Sequence, residues 1–325
     1  MTIRLLIILA MGGTTLSLRA SPWPGAETPS IAVSHLQFPR GEELGPYTIR
    51  VPFELAGRLI VVEAAVEGLR GNFILDTGSG ELILNASHFS GGRPRSNVAS
   101  MGTTGAVEEV RVRAAQAFAW DSLAFEKIRA HIIDLSHIEA KKNIRVLGLI
   151  GYEVLKGYEV LIDFQLRQIT LTRLDEAGER LDSLAILEQP EDSLDFRLQR
   201  HVIILNGWVD HTPVQFGLDS GAELNLLHSR VKRRILNHFK ISRRVNLNGM
   251  GARDVEVLAG RLYRFRCNDR IRCSGMRTLL TNLDDINAAF GTKLQGVVGY
   301  EFLCMRRTII NYKKKKLYFL KWYRP

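Results

Sequence analysis

The chain repeats itself. "FILDTGSGELIL" (73–84) returns as "FGLDSGAELNLL" (216–227), each an apolar run entering Asp, a hydroxyl residue, Gly and a small residue before leucines resume. Asp219 follows Asp76 at an offset of 143 residues. A second pair, "VLGLIGYEVL" (146–155) and "LQGVVGYEFL" (294–303), recurs at an offset of 148 and runs on through "LIDFQLRQITL" and "IINYKKKKLYF". A period this long is not that of a solenoid and denotes two duplicated domains. With 325 residues, 46% hydrophobic, the chain can bury two cores of ordinary size.

Each copy reads as strands. "LIVVEAAVEGLRGNFIL" (59–75) and "HVIILNGWVDHTPVQFGL" (201–218) are β-branched, partly alternating, and broken by Gly, Asn, Asp or Pro, which signals a hairpin before each Asp. "SMGTTGAVEEVRV" (100–112) and "NGMGARDVEVLAG" (248–260) are further hairpin candidates. The tetralysine 313–316 falls where the first copy has "QLRQ", between two apolar runs, so it reads as a hairpin turn rather than a nucleic-acid contact. Helical periodicity is scarce, and "LHSRVKRRILNHFK" (227–240) is its best candidate. The expected architecture is all-β and bilobal: a lobe over 45–175, a linker over 176–196 and a lobe over 197–325, with an N-terminal extension over 21–44.

Residues 1–20 read as a secretory signal. Arg4 precedes an apolar stretch of 14 residues, and "LRA-S" offers a cut after Ala20. The stretch is shorter than the ~20 residues that span a bilayer. The mature chain is therefore expected to be exported, periplasmic or extracellular, without an integral membrane segment, and its leader to pack against nothing. The formal charge of +10 becomes +8 once Arg4 and Arg19 are gone. The basic residues are dispersed and no nucleic-acid motif accompanies them. Cys267, Cys273 and Cys304 all lie in the second half, so the fold does not depend on disulfides, although Cys267 and Cys273 are close enough in sequence to bridge a local loop.

A carboxylate at the same strand end in each of two duplicated lobes suggests a pair at their junction. Two carboxylates close enough to interact cannot both ionise, so they share one proton. The ionised member can draw a proton from a water held between them, and the protonated member can donate to a carbonyl. Thr77 and Ser220 have hydroxyls that can bond across the junction, and Gly78 and Gly221 let backbone N–H groups approach the carboxylates. Ser79 is expected to donate to the outer oxygen of Asp76, which Ala222 cannot do for Asp219. No G-x-S-x-G elbow and no H-E-x-x-H occurs, so neither a serine nucleophile nor a metal is expected.

These motifs resemble those of the aspartic proteases of the retropepsin and pepsin type. In that family Asp-Thr/Ser-Gly-Ser/Ala is followed in each lobe by an apolar-apolar-Gly element crossing beneath the active-site loop. Here those elements are Leu149-Ile150-Gly151 and Val297-Val298-Gly299. The resemblance covers about residues 50–325 and implies a pseudo-twofold pair of β-barrel-like lobes with a cleft between them. It further implies endopeptidase activity on a peptide or protein substrate, Asp76 and Asp219 as catalytic residues, no cofactor, and a monomer. The pepsin flap tyrosine is missing, since no Tyr lies between Ser79 and Gly148. The glycines at Gly102, Gly105, Gly249 and Gly251 suggest paired flaps instead, as in a fused retropepsin dimer of the bacterial kind. The alternative is a catalytically inactive peptide-binding relative with the same fold.

Overall fold

The computed structural model describes residues 6–7, 36–94, 100–102, 105–107, 110–183, 188–247 and 255–322. Strands make up 53% of it and helices 10%, which upholds the all-β reading at that level. In the first half, six strands form a closed barrel in the order Leu59–Val66, Leu69–Leu75, Gly148–Ile150, Leu82–Asn85, Leu123–Ile133, Arg111–Trp120. It shuts where Phe118 and Ala119 pair with Val66 and Ala65. The second half runs in the matching order Val202–Val209, Thr212–Leu218, Gly296–Val298, Asn225–His228, Met276–Thr281, Val255–Leu262, Phe239–Leu247.

The long apolar runs reflect burial on both faces of the strands. In Leu59–Val66, Ile60 and Val62 join the main core, while Leu59 and Val61 face a second cluster with Ile83, Leu135, Ile138, Val146 and Leu149. The second half reproduces that cluster with Val202, Ile204, Leu226, Leu283, Ile286, Leu294 and Val297. A short helix covers each cluster, Ser136–Lys142 and Asp284–Phe290, ending in left-handed residues Asn143 (φ 52°) and Gly291 (φ 66°). Both left-handed ends lie 148 residues apart, so the duplication reaches the level of single dihedrals.

One antiparallel sheet joins the halves. At its centre Tyr158–Asp163 pairs with Arg307–Asn311, and Leu161 lies opposite Ile309, its own counterpart at the 148 offset. Val160↔Ile310 and Ile162↔Thr308 flank that pair symmetrically. The pairing would leave Arg307 and Asp163 as buried charges, but they bond at 2.8 Å, and Arg307 also reaches Glu188 at 2.6 Å. The counterparts of this pair, Glu159 and Asn311, bond at 3.0 Å.

Several expectations need correction. Stretch 227–240 is helical only over Arg233–Leu236: its start belongs to strand Asn225–His228 and its end to Phe239–Leu247. Sheet pairing of both flanks overrides a modest helical periodicity. The presumed linker contributes Asp192–Gln199, which pairs with Lys316–Leu320 and Val202–Val209. Leu6–Ile7, expected to pack against nothing, pairs in parallel with Met101–Gly102. Cys267 and Cys273 are buried as free thiols, and Cys304 is free too. The lysine run sits as read, turning Arg307–Asn311 into Lys316–Leu320, with Lys315 at φ 55°. Among the described residues no helix is long and apolar enough to cross a membrane.

Candidate active site

Leu69–Leu75 and Thr212–Leu218 each end at an Asp because the chain must leave the sheet there. Gly148–Ile150 lies parallel beside the first and Gly296–Val298 beside the second. Their last carbonyls tie down the Asp residues: Asp76 N–H donates to Ile150 O at 2.9 Å and Asp219 N–H to Val298 O at 3.0 Å. Gly151 and Gly299 then let the next turn press against the loop. A Cβ at Gly299 would stand 2.0 Å from Ala222 O, and one at Gly151 2.6 Å from Ser79 O. Tyr152 and Tyr300 N–H donate to those same two carbonyls, at 2.8 and 3.0 Å.

The loops exchange bonds across the junction. Thr77 N–H donates to Ser220 Oγ at 3.0 Å, and Ser220 N–H to Thr77 Oγ1 at 2.9 Å. Ser220 Oγ also donates to Leu75 O at 2.7 Å. Asp76 and Asp219 are thereby held together in near-complete burial, 1% and 0% exposed. The Gly78 N–H serves both, at 2.9 Å from Asp76 Oδ1 and 3.2 Å from Asp219 Oδ1. Only glycine fits there, because a Cβ at Gly78 would lie 2.6 Å from Asp219 Cγ. Gly221 N–H donates to Asp219 Oδ1 at 2.8 Å.

Burial, then the charge and hydrogen bond of Asp219, hold the Asp76 carboxyl well above the usual range, against the opposing N–H donors of Gly78 and Ser79. The Asp76–Asp219 pair therefore retains a proton over a range where an isolated Asp is ionised. Ser79 differs from expectation. Its backbone N–H bonds Asp76 Oδ1 at 3.1 Å, but its hydroxyl turns away to Glu81 O at 2.9 Å.

Residues that motif reading passed over complete the junction. Arg58 N–H donates to Glu223 Oε1 at 3.0 Å, and its guanidinium reaches Glu223 O and Glu301. Its counterpart at the 143 offset, His201, packs on the opposite loop, where a Cβ at Gly80 would stand 2.7 Å from its Nδ1. Burial pushes His201 down to about 4. Tyr152 stacks edge-on with Tyr312, as Tyr300 does with Phe164. Burial raises the Tyr312 phenol strongly, with Tyr152, Asp76 and Asp219 adding to it. Registering the two copies by their offset was the signal for all of these. Of the candidate flap residues, Gly102 and Gly105 face each other across a short hairpin, whereas Gly249 and Gly251 lie outside the described residues. Among the described residues no three His, Cys, Asp or Glu are grouped to hold a metal ion.

No protein-family model matches the chain, and no curated protein matches it. Among solved structures, that of a retropepsin-like aspartic protease from Rickettsia conorii is similar at a TM-score of 0.27 and 14% identity, over 38% of this chain and 87% of that one. A likeness this weak identifies neither fold nor activity.

Proposed function

We propose that the chain is an aspartic endopeptidase whose two lobes are related by an approximate twofold axis through the Asp76–Asp219 junction. The observation that carries this reading is the reciprocal Thr77–Ser220 exchange, which presses both carboxylates onto one shared N–H. The self-matched register at Leu161–Ile309 supports the twofold.

One protonated and one ionised carboxyl of the Asp76–Asp219 pair supply acid and base from one residue type. The ionised carboxylate takes a proton from a water as the water oxygen bonds to the carbonyl carbon, and the protonated carboxyl gives its proton to the carbonyl oxygen. As the C–N bond breaks, the first carboxyl passes its proton to the departing nitrogen and the second recovers the hydroxyl proton. The chain thus returns to its starting state, with one water consumed per bond cleaved.

Hydrolysis of a peptide library from acid to neutral pH, with wild type and Asp76→Asn side by side, tests this. Cleavage by wild type alone supports it. A folded wild type that binds peptides but cleaves none leaves the inactive binding relative as the answer.

A further inference from the structure

Beside the second Asp loop lies a cavity of about 710 Å³, walled by both halves: Gly57, Arg58, Lys141 and Lys142 from the first, and strands around Arg243, Arg261 and Arg277 from the second. Six of its lining residues are cations and one, Glu223, is a carboxylate. Lys142 pairs with Glu223 at 2.5 Å, and Arg58 and Arg277 share Glu301 at 3.4 and 2.5 Å. Among the described residues the Arg261 guanidinium donates only to a neutral carbonyl, Gly275 O, at 2.6 Å. Arg243 makes no ion pair among the described residues. Arg261 also lies directly opposite Arg277 in the ladder, whose charge Glu301 already offsets, leaving Arg261 without a carboxylate partner among the described residues.

The excess is one-sided. At the duplicated ladder position the first copy places Ala114 opposite Arg129 where the second has Arg261 opposite Arg277. The second places Ala289 and Phe290 where the first has Lys141 and Lys142. The cavity is also near the chemistry. Glu223 is four residues past Asp219, at most about 14 Å of chain, a span that four residues of extended peptide also cover.

We infer that this cavity is a subsite for a Glu or Asp side chain of the substrate, set to one side of the scissile bond; the inference rests on the endopeptidase reading. Arg243 and Arg261 are its specificity-determining residues, able to form charge-assisted bonds with a carboxylate.

The test uses peptides differing only by Glu or Gln at each of four positions on either side of the cleaved bond. Wild-type kcat/KM is read together with fluorescence anisotropy of the same peptides on Asp219→Asn, which needs no turnover. Glu should be favoured about tenfold over Gln on one side only, the order expected for a partly exposed charged hydrogen bond. The preference should shrink as salt rises, approach unity in Arg243→Gln/Arg261→Gln, and persist in Arg243→Lys. Circular dichroism checks that the variants fold, and the salt series on wild type needs none of them. Cleavage with Glu and Gln used equally overturns the subsite and leaves the protease standing. Binding preference without any cleavage keeps an acidic-peptide site and overturns the protease. Neither preference nor cleavage overturns both.

Discussion

The two halves agree where a residue meets its own copy and diverge where it does not. Thr77 meets Ser220, and Leu161 meets Ile309, each pair related by the repeat offset. Away from the junction the first barrel closes along the unbroken strand Arg111–Trp120, whereas the second meets Val209 and Trp208 with a separate short strand, Phe265–Arg266. By ladder register the offset is 143 at Asn85 and His228, 147 at Phe118 and Phe265, and 148 at Ile128 and Met276. Four of the five extra residues therefore precede the strands Arg111–Trp120 and Val255–Leu262, and one lies in the segment bearing Cys267 and Cys273. A self-matched contact constrains the residue in both copies at once; a barrel rim constrains it in one.

The deepest break to that comparison is at the dyad. Asp76→Asn and Asp219→Asn should each cut kcat by about 10⁴ or more, with the double variant scarcely worse, because the carboxylates act as one unit. Unequal losses would show that the halves are not equivalent there. Stability should move the other way. The raised Asp76 carboxyl contributes stability at acid pH, below its unfolded value, which is lost as pH rises through the folded value. Above that, Asp76→Asn should melt no lower than wild type.

The joining sheet comes next. Arg307→Ala leaves Asp163 buried and unpaired, so urea unfolding should show a loss of about 3–5 kcal/mol. The paired turns then separate by pH. A buried neutral His201 contributes stability above its unfolded value of 6.5, lost as pH falls through about 4. Wild type should lose on the order of 3 kcal/mol across that window, and His201→Asn should flatten the dependence. Smallest is the hydroxyl exchange. Ser220→Ala removes an acceptor from Thr77 N–H and a donor to Leu75 O, and should cost about 1–3 kcal/mol in urea unfolding. Thr77→Val, which removes the acceptor from Ser220 N–H alone, should cost less.

The duplication, the strand content, the lysine turn and the two Asp loops were legible in the sequence because each is a local pattern written twice. The helices Ser136–Lys142 and Asp284–Phe290 were not, since seven residues are too few to display a helical period, and the first buries only Ile138. Nor was the rotamer of Ser79, whose hydroxyl donates to the Glu81 carbonyl. The sequence by itself determined that two similar β units carry an Asp at matching strand ends. Only the tertiary structure decided which groups share a buried junction: Arg58 on Glu223, His201 on Gly80, and Gly78 N–H between two carboxylates. Such contacts join residues more than 100 positions apart, and no pattern along the chain encodes a distance across it.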